Sequence, residues 1–231
     1  MGDDPRPLAI PQKQGYSRKV RFFTFLVLAL TLLGGTTASA LEFLGLDFNG
    51  LEIQGGLGYV FNSVQNSAPD PILALAGFSL PLKFPNSLVF RPEFQFSTNT
   101  YAFQDGRAIF IESMFDSVML LSIGFFPWLG QEFDLTEVLT LGYDATLGFL
   151  FRFPIFFYGK GANYAVDVTS WYLAGRFLYP SGSGYLTWKF SELFRLTVRL
   201  QLLLPLFNLW TPTALWDQLQ TNLLVGVRWD F

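Results

Sequence analysis

Apolar and polar residues alternate along much of this chain, with a period of two. The clearest stretch is 88–97, where one face carries Leu88, Phe90, Pro92, Phe94 and Phe96, and the other carries Val89, Arg91, Glu93, Gln95 and Ser97. Successive side chains of a β-strand point to opposite sides of the sheet. The pattern therefore predicts a strand with one apolar face and one mostly polar face. Residues 137–152, 194–202 and 222–231 repeat it.

Less regular segments predict further strands at 51–61, 72–84, 112–126 and within 166–190. The last of these contains the sequence PSGSG at 180–184, so it is either one kinked strand or two short strands. Short turns are expected at 84–87 and 190–193, and longer connections at 99–111, 153–164 and 206–219. Short turns at one end and long loops at the other are typical of outer-membrane barrels. We therefore predict an all-β fold, a closed antiparallel transmembrane barrel of eight strands, with ten as the alternative.

The polarity of the two faces favours lipid on the outside. The apolar face is very large, whereas the polar face mixes charges of both signs with Gly and Ser. A sheet in a bilayer must close on itself, because every backbone polar group needs an internal partner. Tryptophans are expected at the membrane interfaces, namely Trp128, Trp188, Trp210, Trp216 and Trp229, while Trp171 is not assigned. A soluble periplasmic β-protein is the alternative.

The N-terminal segment has the pattern of a secretory signal. Residues 1–21 are polar and end in a basic cluster, an apolar run FFTFLVLALTLL follows at 22–33, and Ala38-Ser39-Ala40 comes next. This order matches the n-region, h-region and small-residue cleavage site of a signal peptide. We predict a signal peptide at 1–40, cleaved after Ala40, and a barrel at 41–231. The alternative is an uncleaved anchor, for which the run is shorter than the roughly 20 residues of a membrane span.

Composition removes several kinds of chemistry. The chain has no Cys and no His, which excludes disulfides and thiolate sites and removes the commonest general base. The net charge is −3 and no basic stripe is present, so nucleic acid is not an expected partner. Glu112 and Asp116 would share one strand face, but lumenal ion pairing is the preferred interpretation. We expect no enzymatic activity, no cofactor and no metal.

The last ten residues, NLLVGVRWDF, resemble the C-terminal signal of bacterial outer-membrane proteins, and Val227, Trp229 and Phe231 match its alternate apolar positions. The resemblance implies recognition of this strand by the barrel assembly machinery. In size and pattern, residues 41–231 resemble the small eight-stranded barrels of the OmpA, OmpX and OmpW types. That resemblance implies a monomer in the bacterial outer membrane, surrounded by outer-membrane lipid, and it does not fix a function.

A set of charged residues is predicted to face the lumen, where it forms either a selective path or a filled polar core. The interior of an eight-stranded barrel is just wide enough for side chains, which favours the filled core. The set comprises Arg91, Glu93, Glu112, Asp116, Asp144, Arg152, Arg176, Arg195, Arg199 and Arg228.

Two predicted connections, 153–158 and 206–210, are unusually apolar. Either the strands continue there and face lipid, or Phe156, Phe157 and Trp210 form an apolar lip that admits hydrophobic molecules, as the OmpW resemblance implies. The first functional hypothesis is therefore a narrow channel or conduit for small solutes, hydrophobic ones included. The alternatives are a non-porous structural or surface-interaction barrel of the adhesion type and, third, the soluble periplasmic protein.

Overall fold

The period-two segments form the strands of one antiparallel sheet. The computed structural model describes residues 47–48, 50–62, 71–104, 107–109, 117–156, 170, 173, 175–210 and 214–230. Within these ranges the strands are β1 Asp47–Phe48, β2 Leu51–Phe61, β3 Ile72–Ser79, β4 Leu82–Lys83, β5 Leu88–Gln104, β6 Arg107–Ile109, β7 Ser117–Asp134, β8 Leu139–Phe156, β9 Leu178–Lys189, β10 Phe194–Leu203 and β11 Leu219–Trp229. No helix in the described part of the chain is long and apolar enough to cross a membrane.

Eight of these strands close into a barrel. Their order is β2-β3-β5-β7-β8-β9-β10-β11, every neighbouring pair is antiparallel, and β11 pairs with β2 from Leu219↔Phe61 to Trp229↔Leu51. The short strands are additions, since β4 pairs with β1 and β5, and β6 pairs with β5. The prediction of a closed antiparallel barrel with eight strands is confirmed. The predicted signal peptide at 1–40 lies outside the described residues.

The inner face of the sheet carries the buried charged residues, and the outer face is apolar. In β10, Arg199 is 1% exposed and points inward, whereas its neighbour Leu200 is 60% exposed and points outward. The same alternation of buried and exposed positions runs along β3, although its inward residues Leu73 and Leu75 belong to a buried apolar cluster with Val60 and Leu224. A soluble barrel would place its most apolar face inside. The exposed apolar face is instead the face expected of a barrel surrounded by lipid.

The strands differ in length on the two sides of the barrel. β2 and β11 each have 11 residues and β10 has 10, whereas β7 and β8 each have 18. With a rise of about 3.4 Å per residue and a tilt of about 40°, the shorter strands span about 25 Å of barrel height, which matches the apolar band of such barrels. By the same geometry, β8 rises about 40 Å or more, so β5, β7 and β8 project beyond the band at the end opposite the short turns.

Several predicted strand bounds were wrong, and proline explains the two main errors. β7 was expected to end at Phe126, but it continues to Asp134 through Pro127, which pairs with Pro92 of β5. On its other side, the β7–β8 ladder has no backbone pairs between Phe125↔Phe149 and Leu129↔Ala145. Pro127 lies in this gap, where its lack of an N–H costs no ladder hydrogen bond. The predicted strand 72–84 is interrupted at residues 80–81, where Pro81 lies.

The other strand corrections mainly concern the end of the barrel opposite the short turns, which we call the upper end. β5 continues to Gln104 and β8 to Phe156, where connections were predicted. The PSGSG stretch lies inside β9, which is therefore one continuous strand, paired with β8 on one side and β10 on the other.

The tryptophans lie on both sides of the sheet. Trp188 and Trp229 are exposed near the short-turn end, and Trp210 and Trp216 are exposed in the β10–β11 connection, as an interfacial position requires. Trp128 was expected beside a turn at the membrane surface, but it is completely buried inside the barrel. The prediction for Trp128 was wrong because β7 runs past Pro127, which places position 128 on the inward face. Trp171 lies outside the described residues.

Candidate functional site

Five of the ten predicted charged residues are buried in the barrel lumen. Arg91 and Glu93 lie on β5, Asp144 on β8, Arg199 on β10 and Arg228 on β11, and all five side chains are buried. Each follows an apolar outward residue, so strand alternation alone directs it inward. Glu112 and Asp116 lie outside the described residues. The charged residues gather in the half of the lumen nearest the short turns.

The charged residues in this half of the lumen form a polar layer, and Arg91 is the centre of its first group of contacts. Its Nη1 donates a hydrogen bond to Asp144 Oδ2 at 3.1 Å, and its Nη2 lies 3.6 Å from Glu132 Oε1. Its guanidinium also lies 4.2 Å from the centre of the Tyr185 ring, and the Arg199 guanidinium lies 5.1 Å from the same ring. An arginine over an aromatic face is attracted by the ring quadrupole. Tyr185 therefore joins the two arginines.

Arg199 forms the second part, together with Glu93. Arg199 Nη1 donates to Glu93 Oε2 at 2.5 Å, and Arg199 Nη2 lies 3.8 Å from Glu52 Oε1. The Glu93 carboxylate also accepts hydrogen bonds from the amides of Gln201, at 3.0 Å, and Gln95. A buried carboxylate is stable only when it is paired and hydrogen-bonded, and Glu93 meets both requirements.

These contacts cross the full width of the barrel. In the strand order, β5 and β10 are diametrically opposite, as are β7 and β11. Glu93–Arg199 and the 2.7 Å hydrogen bond from Gln95 to Gln201 join the first pair of strands. Arg228, whose Nη1 lies 3.9 Å from Glu132 Oε1, joins the second pair. Side chains therefore bridge the lumen at this level in two directions.

The polar layer is nearly neutral. Among the described residues, its buried groups are three arginines and four acids: Arg91, Arg199, Arg228, Glu52, Glu93, Glu132 and Asp144. Lys83, at the rim, adds a cation 3.9 Å from Glu132 Oε2. Charges of opposite sign interact strongly where water is excluded. The opposite charges of the layer thus nearly cancel, although Nε and Nη2 of both Arg199 and Arg228 are buried without a hydrogen-bond partner.

Three predicted lumenal arginines lie at the ends of the barrel. Arg152 is half-buried near the upper end, and its Nη2 donates to the Tyr179 hydroxyl at 2.6 Å. Arg176 lies in the turn before β9, not on a strand, with its guanidinium 5.7 Å from the Phe207 ring centre. Arg195 lies at the short-turn end and pairs with Asp230 at 2.5 Å. Arg152 and Arg176 therefore contact aromatic rings at the upper end, and Arg195 forms an ion pair at the short-turn end.

An aromatic layer fills the lumen above the polar layer. Its buried members are Phe126, Trp128, Leu150, Tyr179, Leu203 and Phe207. The Phe126 and Trp128 rings stack with centroids 5.8 Å apart, and the Tyr179 and Phe207 rings meet edge to face at 6.2 Å. Phe207 comes from a 3₁₀ turn, Leu206–Leu209, in the β10–β11 connection. A loop residue therefore completes the layer from the upper end.

Inward glycines make room for the large rings. A Cβ on Gly148 would lie 2.3 Å from the Phe126 ring, and one on Gly124 would lie 2.4 Å from it. In the polar layer, a Cβ on Gly142 would lie 2.2 Å from the Tyr185 ring. Separations below about 3 Å do not occur between real side chains, since interiors are already close-packed. Glycine is therefore needed at these positions, because a larger residue would collide with the aromatic ring that packs against the backbone there.

A small recess lies at the upper mouth. Its walls include Ser97, Asn99, Ser122, Arg152 and Gln220, with Leu73 and Leu120 among the apolar members. The recess volume is about 10 Å³, which is room for about one water molecule. It is therefore too small for an organic solute in this conformation.

Sequence reasoning missed several members of the two layers. Glu52 and Gln54 alternate with apolar residues on β2, and this alternation was a usable signal. Glu132 lies beyond the expected end of β7, so the wrong strand bound excluded it from the predicted lumen-facing residues. Tyr185 and Trp128 carry no charge, and nothing in residue type alone distinguishes an inward aromatic residue from a lipid-facing one.

The predicted lip and assembly residues are only partly described. Trp210 is exposed at the end of the 3₁₀ turn, Phe156 ends β8, and Phe157 lies outside the described residues. Val227 and Trp229 point outward on β11, while Phe231 lies outside the described residues. Among the described residues, no group of three acids could hold a metal ion.

Comparison with known proteins places the fold among small transmembrane barrels. No family model matches the chain, and no curated protein matches its sequence. Among solved structures, Neisserial surface protein A is similar, with a TM-score of 0.50 and 13% identity over 80% of this chain and 99% of that one. The attachment invasion locus protein Ail of Yersinia pestis, solved with the heparin analogue sucrose octasulfate, gives 0.48 and 9% over 80% and 98%. A de novo designed transmembrane barrel gives 0.37 and 12% over 79% and 97%. The chain thus has the eight-stranded fold of small outer-membrane barrels.

Proposed function

We propose that this chain is an integral protein of the bacterial outer membrane with a closed lumen, and that it acts as a non-enzymatic structural or surface-interaction barrel. The observation that carries this proposal is the pair of lumen layers. Polar side chains bridge diametrically opposite strands in the lower half, as in the Glu93–Arg199 pair, and an aromatic layer fills the upper half. A hydrated ion or sugar would have to displace both layers to pass.

Export and assembly belong to the same proposal. The segment 1–40 would direct secretion and then leave, and the strand ending in Val227, Trp229 and Phe231 would be recognised by the barrel assembly machinery. The exposed apolar outer face supports lipid as the surrounding medium, since an aqueous location would leave this face in contact with water.

The upper end of the barrel supports a surface role. β5, β7 and β8 project roughly 15 Å beyond the apolar band, on the side where long connections leave the barrel. Rigid strands that hold loops away from the membrane are a suitable platform for recognition, because binding residues are commonly carried on loops above a rigid scaffold. The projection is opposite the short turns, which face the periplasm in barrels of this kind.

A flux assay in vesicles tests the proposal against the conduit hypothesis. Refolded protein, with folding confirmed by heat-modifiable gel mobility, is placed in lipid vesicles loaded with small sugars and amino acids. We expect efflux at the rate of protein-free vesicles. The same vesicles are given a hydrophobic fluorescent probe, and polar substitutions at Phe156, Phe157 and Trp210 are compared with the unsubstituted chain. Efflux well above the background, or probe uptake that these substitutions abolish, would favour a conduit.

A further inference from the structure

The connection between β10 and β11 has a buried side and an exposed side. Phe207 and Asn208 of its 3₁₀ turn are each only 3% exposed. Four apolar side chains of the same connection are instead more than half exposed. We call them the outer residues: Leu209, Trp210, Leu215 and Trp216. A segment that buries one side in the lumen therefore presents a second, apolar side outside it.

The buried side closes the upper lumen. The Phe207 ring meets the Tyr179 ring edge to face, with centroids 6.2 Å apart, and completes the aromatic layer. Asn208 Nδ2 donates hydrogen bonds to the backbone carbonyls of Ala214 at 3.1 Å and Asp217 at 2.6 Å. These bonds tie the 3₁₀ turn to the far end of the connection. Phe207 and the outer residues are therefore linked in one unit.

The outer residues lie at the level of the upper edge of the apolar band. β10 and β11 are among the shorter strands, which span about 25 Å of barrel height, and the connection joins their upper ends. The neighbouring strands end at this level in exposed apolar residues, Phe61 at the top of β2 and Ile72 at the top of β3. Gln218, which follows the outer residues, donates its backbone N–H to Phe61 O at 2.6 Å. The outer residues are therefore placed where lipid headgroups meet acyl chains.

The residue types fit this boundary. A tryptophan ring is apolar and carries one N–H donor, and tryptophan is enriched where lipid headgroups meet acyl chains. The chain has no charged residue between Arg199 and Asp217. A protein-binding surface in water usually has a polar rim around its apolar centre. An uncharged apolar segment with two exposed tryptophans therefore favours lipid over a soluble protein as its partner.

The curvature of the wall favours lipid over a second barrel. β3, β2, β11 and β10 are consecutive in the strand order, so the exposed apolar residues at this level extend around half of the eight strands. Two convex walls touch only along a narrow line, whereas lipid contacts the whole of such an arc. A second copy of the chain would therefore leave most of these residues in contact with lipid or water.

We infer that lipid contact with the outer residues holds the β10–β11 connection in place and so keeps the upper lumen closed. The outer residues insert at the headgroup boundary of the outer leaflet, while Phe207 of the same unit stays in the aromatic layer. Lifting the unit out of the lumen would expose the outer residues to water, which is unfavourable for apolar surface. The inference rests on the membrane location and the closed lumen proposed above.

Fluorescence quenching by lipids tests the position of the outer residues. The chain has no cysteine of its own, so a label at Leu215→Cys reports on one site. Leu57→Cys on β2 is the matched control, because Leu57 is exposed to a similar degree, 61% against 64%, but lies within the band. Each variant is folded into bilayer nanodiscs that contain spin-labelled lipid. We expect a headgroup-level spin label to quench the Leu215→Cys fluorophore more than a spin label deep in the acyl chains does, and the reverse at Leu57→Cys.

Thiol labelling inside the lumen tests the closure. Leu203 is completely buried in the aromatic layer, so Leu203→Cys should react slowly with a charged, membrane-impermeant thiol reagent. Adding Trp210→Ser/Trp216→Ser weakens the lipid contact, and we expect the rate to rise at least about tenfold, which corresponds to about 1.4 kcal/mol. The matched control, Trp188→Ser/Trp229→Ser, removes two similarly exposed tryptophans from the short-turn end and should leave the rate unchanged. The polar layer below still blocks ions, so labelling and not current is the readout.

A further variant keeps the inference testable if the serine variants fold poorly. Asn208→Ala breaks the hydrogen bonds that link the two sides of the unit, so it should also speed the labelling of Leu203→Cys while heat-modifiable mobility is kept. The inference would be overturned by a Leu215→Cys label that neither lipid quencher reaches. A labelling rate that rises no more with Trp210→Ser/Trp216→Ser than with the control pair would overturn it too. Rapid labelling of Leu203→Cys with all tryptophans in place would instead contradict the closed lumen, and a chain that fails to insert into the bilayer would contradict the membrane location.

Discussion

Loss of one partner of the cross-lumen ion pair should destabilise the barrel strongly. Arg199 and Glu93 are both almost completely buried, and their closest atoms are 2.5 Å apart. At that separation, two unit charges attract each other by about 7 kcal/mol in an effective dielectric of about 20, and most of this offsets their desolvation. Arg199→Met keeps an unbranched side chain, two atoms shorter than arginine, and leaves Glu93 without its cation. Breaking a buried pair in this way costs about 3–5 kcal/mol. Because the Gln95 and Gln201 amides still donate hydrogen bonds to the Glu93 carboxylate, we expect a loss of stability at the lower end of that range.

Equilibrium unfolding in urea measures this loss. The refolded protein in lipid vesicles is followed by tryptophan fluorescence and by heat-modifiable mobility, and reversibility is checked from both directions. The double variant Glu93→Gln/Arg199→Met completes a thermodynamic cycle, and it should be more stable than Arg199→Met by at least about 1 kcal/mol, because no buried charge is left unpaired. An Arg199→Met variant within about 0.5 kcal/mol of the original chain, a range typical of surface substitutions, would refute the argument that this pair holds the lumen closed.

Three further predictions concern single positions. Gly142→Ala should cost about 1–3 kcal/mol in the same unfolding assay, because its new Cβ meets the Tyr185 ring. Trp128→Ala should cost about 3–5 kcal/mol of stability, since it empties a completely buried site. The tryptophan fluorescence spectrum of this variant should shift to the red, because the emission of an indole in apolar surroundings is lost. In the β9–β10 turn, the hydrogen bond from Lys189 lowers the pKa of the exposed Glu192 carboxyl, so this contribution to stability is present above the ordinary Glu pKa and is lost as pH falls through the lowered value. Titration of Glu192 by NMR should show the lowered pKa, and Lys189→Met should return it towards the ordinary value.

Matched controls separate these effects from general sensitivity to substitution. Gly182→Ala lies on the outer face of β9, where the nearest atom to a new Cβ is 4.0 Å away, so it should leave stability unchanged. Trp188→Ala removes an exposed interfacial ring and should cost much less than Trp128→Ala. Equal losses for Trp188→Ala and Trp128→Ala would contradict the assignment of Trp128 to the lumen. An unaltered Glu192 pKa in Lys189→Met would show that another group lowers it.

The sequence predicts this fold well because the barrel depends on a local rule. Each strand directs alternate residues inward and outward, so the positions of Arg91 and Arg199 follow from their immediate neighbours. The number of strands follows from the number of alternating segments. Strand length is less predictable, because Pro127 can be accommodated beside Pro92 and a local gap in the ladder, which is a feature of two neighbouring strands and not of one segment.

The contents of the lumen are harder to predict because they depend on distant pairs. Glu93 finds Arg199 across the barrel, 106 residues away in the chain, and only closure of the sheet brings them together. Similarly, the Phe126 ring fits because Gly148 lies on the next strand, and no local pattern connects these two positions. A loop residue, Phe207, completes the aromatic layer, although its segment was expected to line a lip.

Single-channel conductance tests the central claim most directly. The mature, folded protein is added to a planar bilayer at low concentration, and its current is recorded over a wide range of voltage and salt concentration. If the polar and aromatic layers fill the lumen as described, the bilayer should remain electrically silent, and Arg199→Met should be the variant that first shows transient openings. Discrete, reproducible openings of the unsubstituted protein would contradict the closed lumen and restore the conduit as its function.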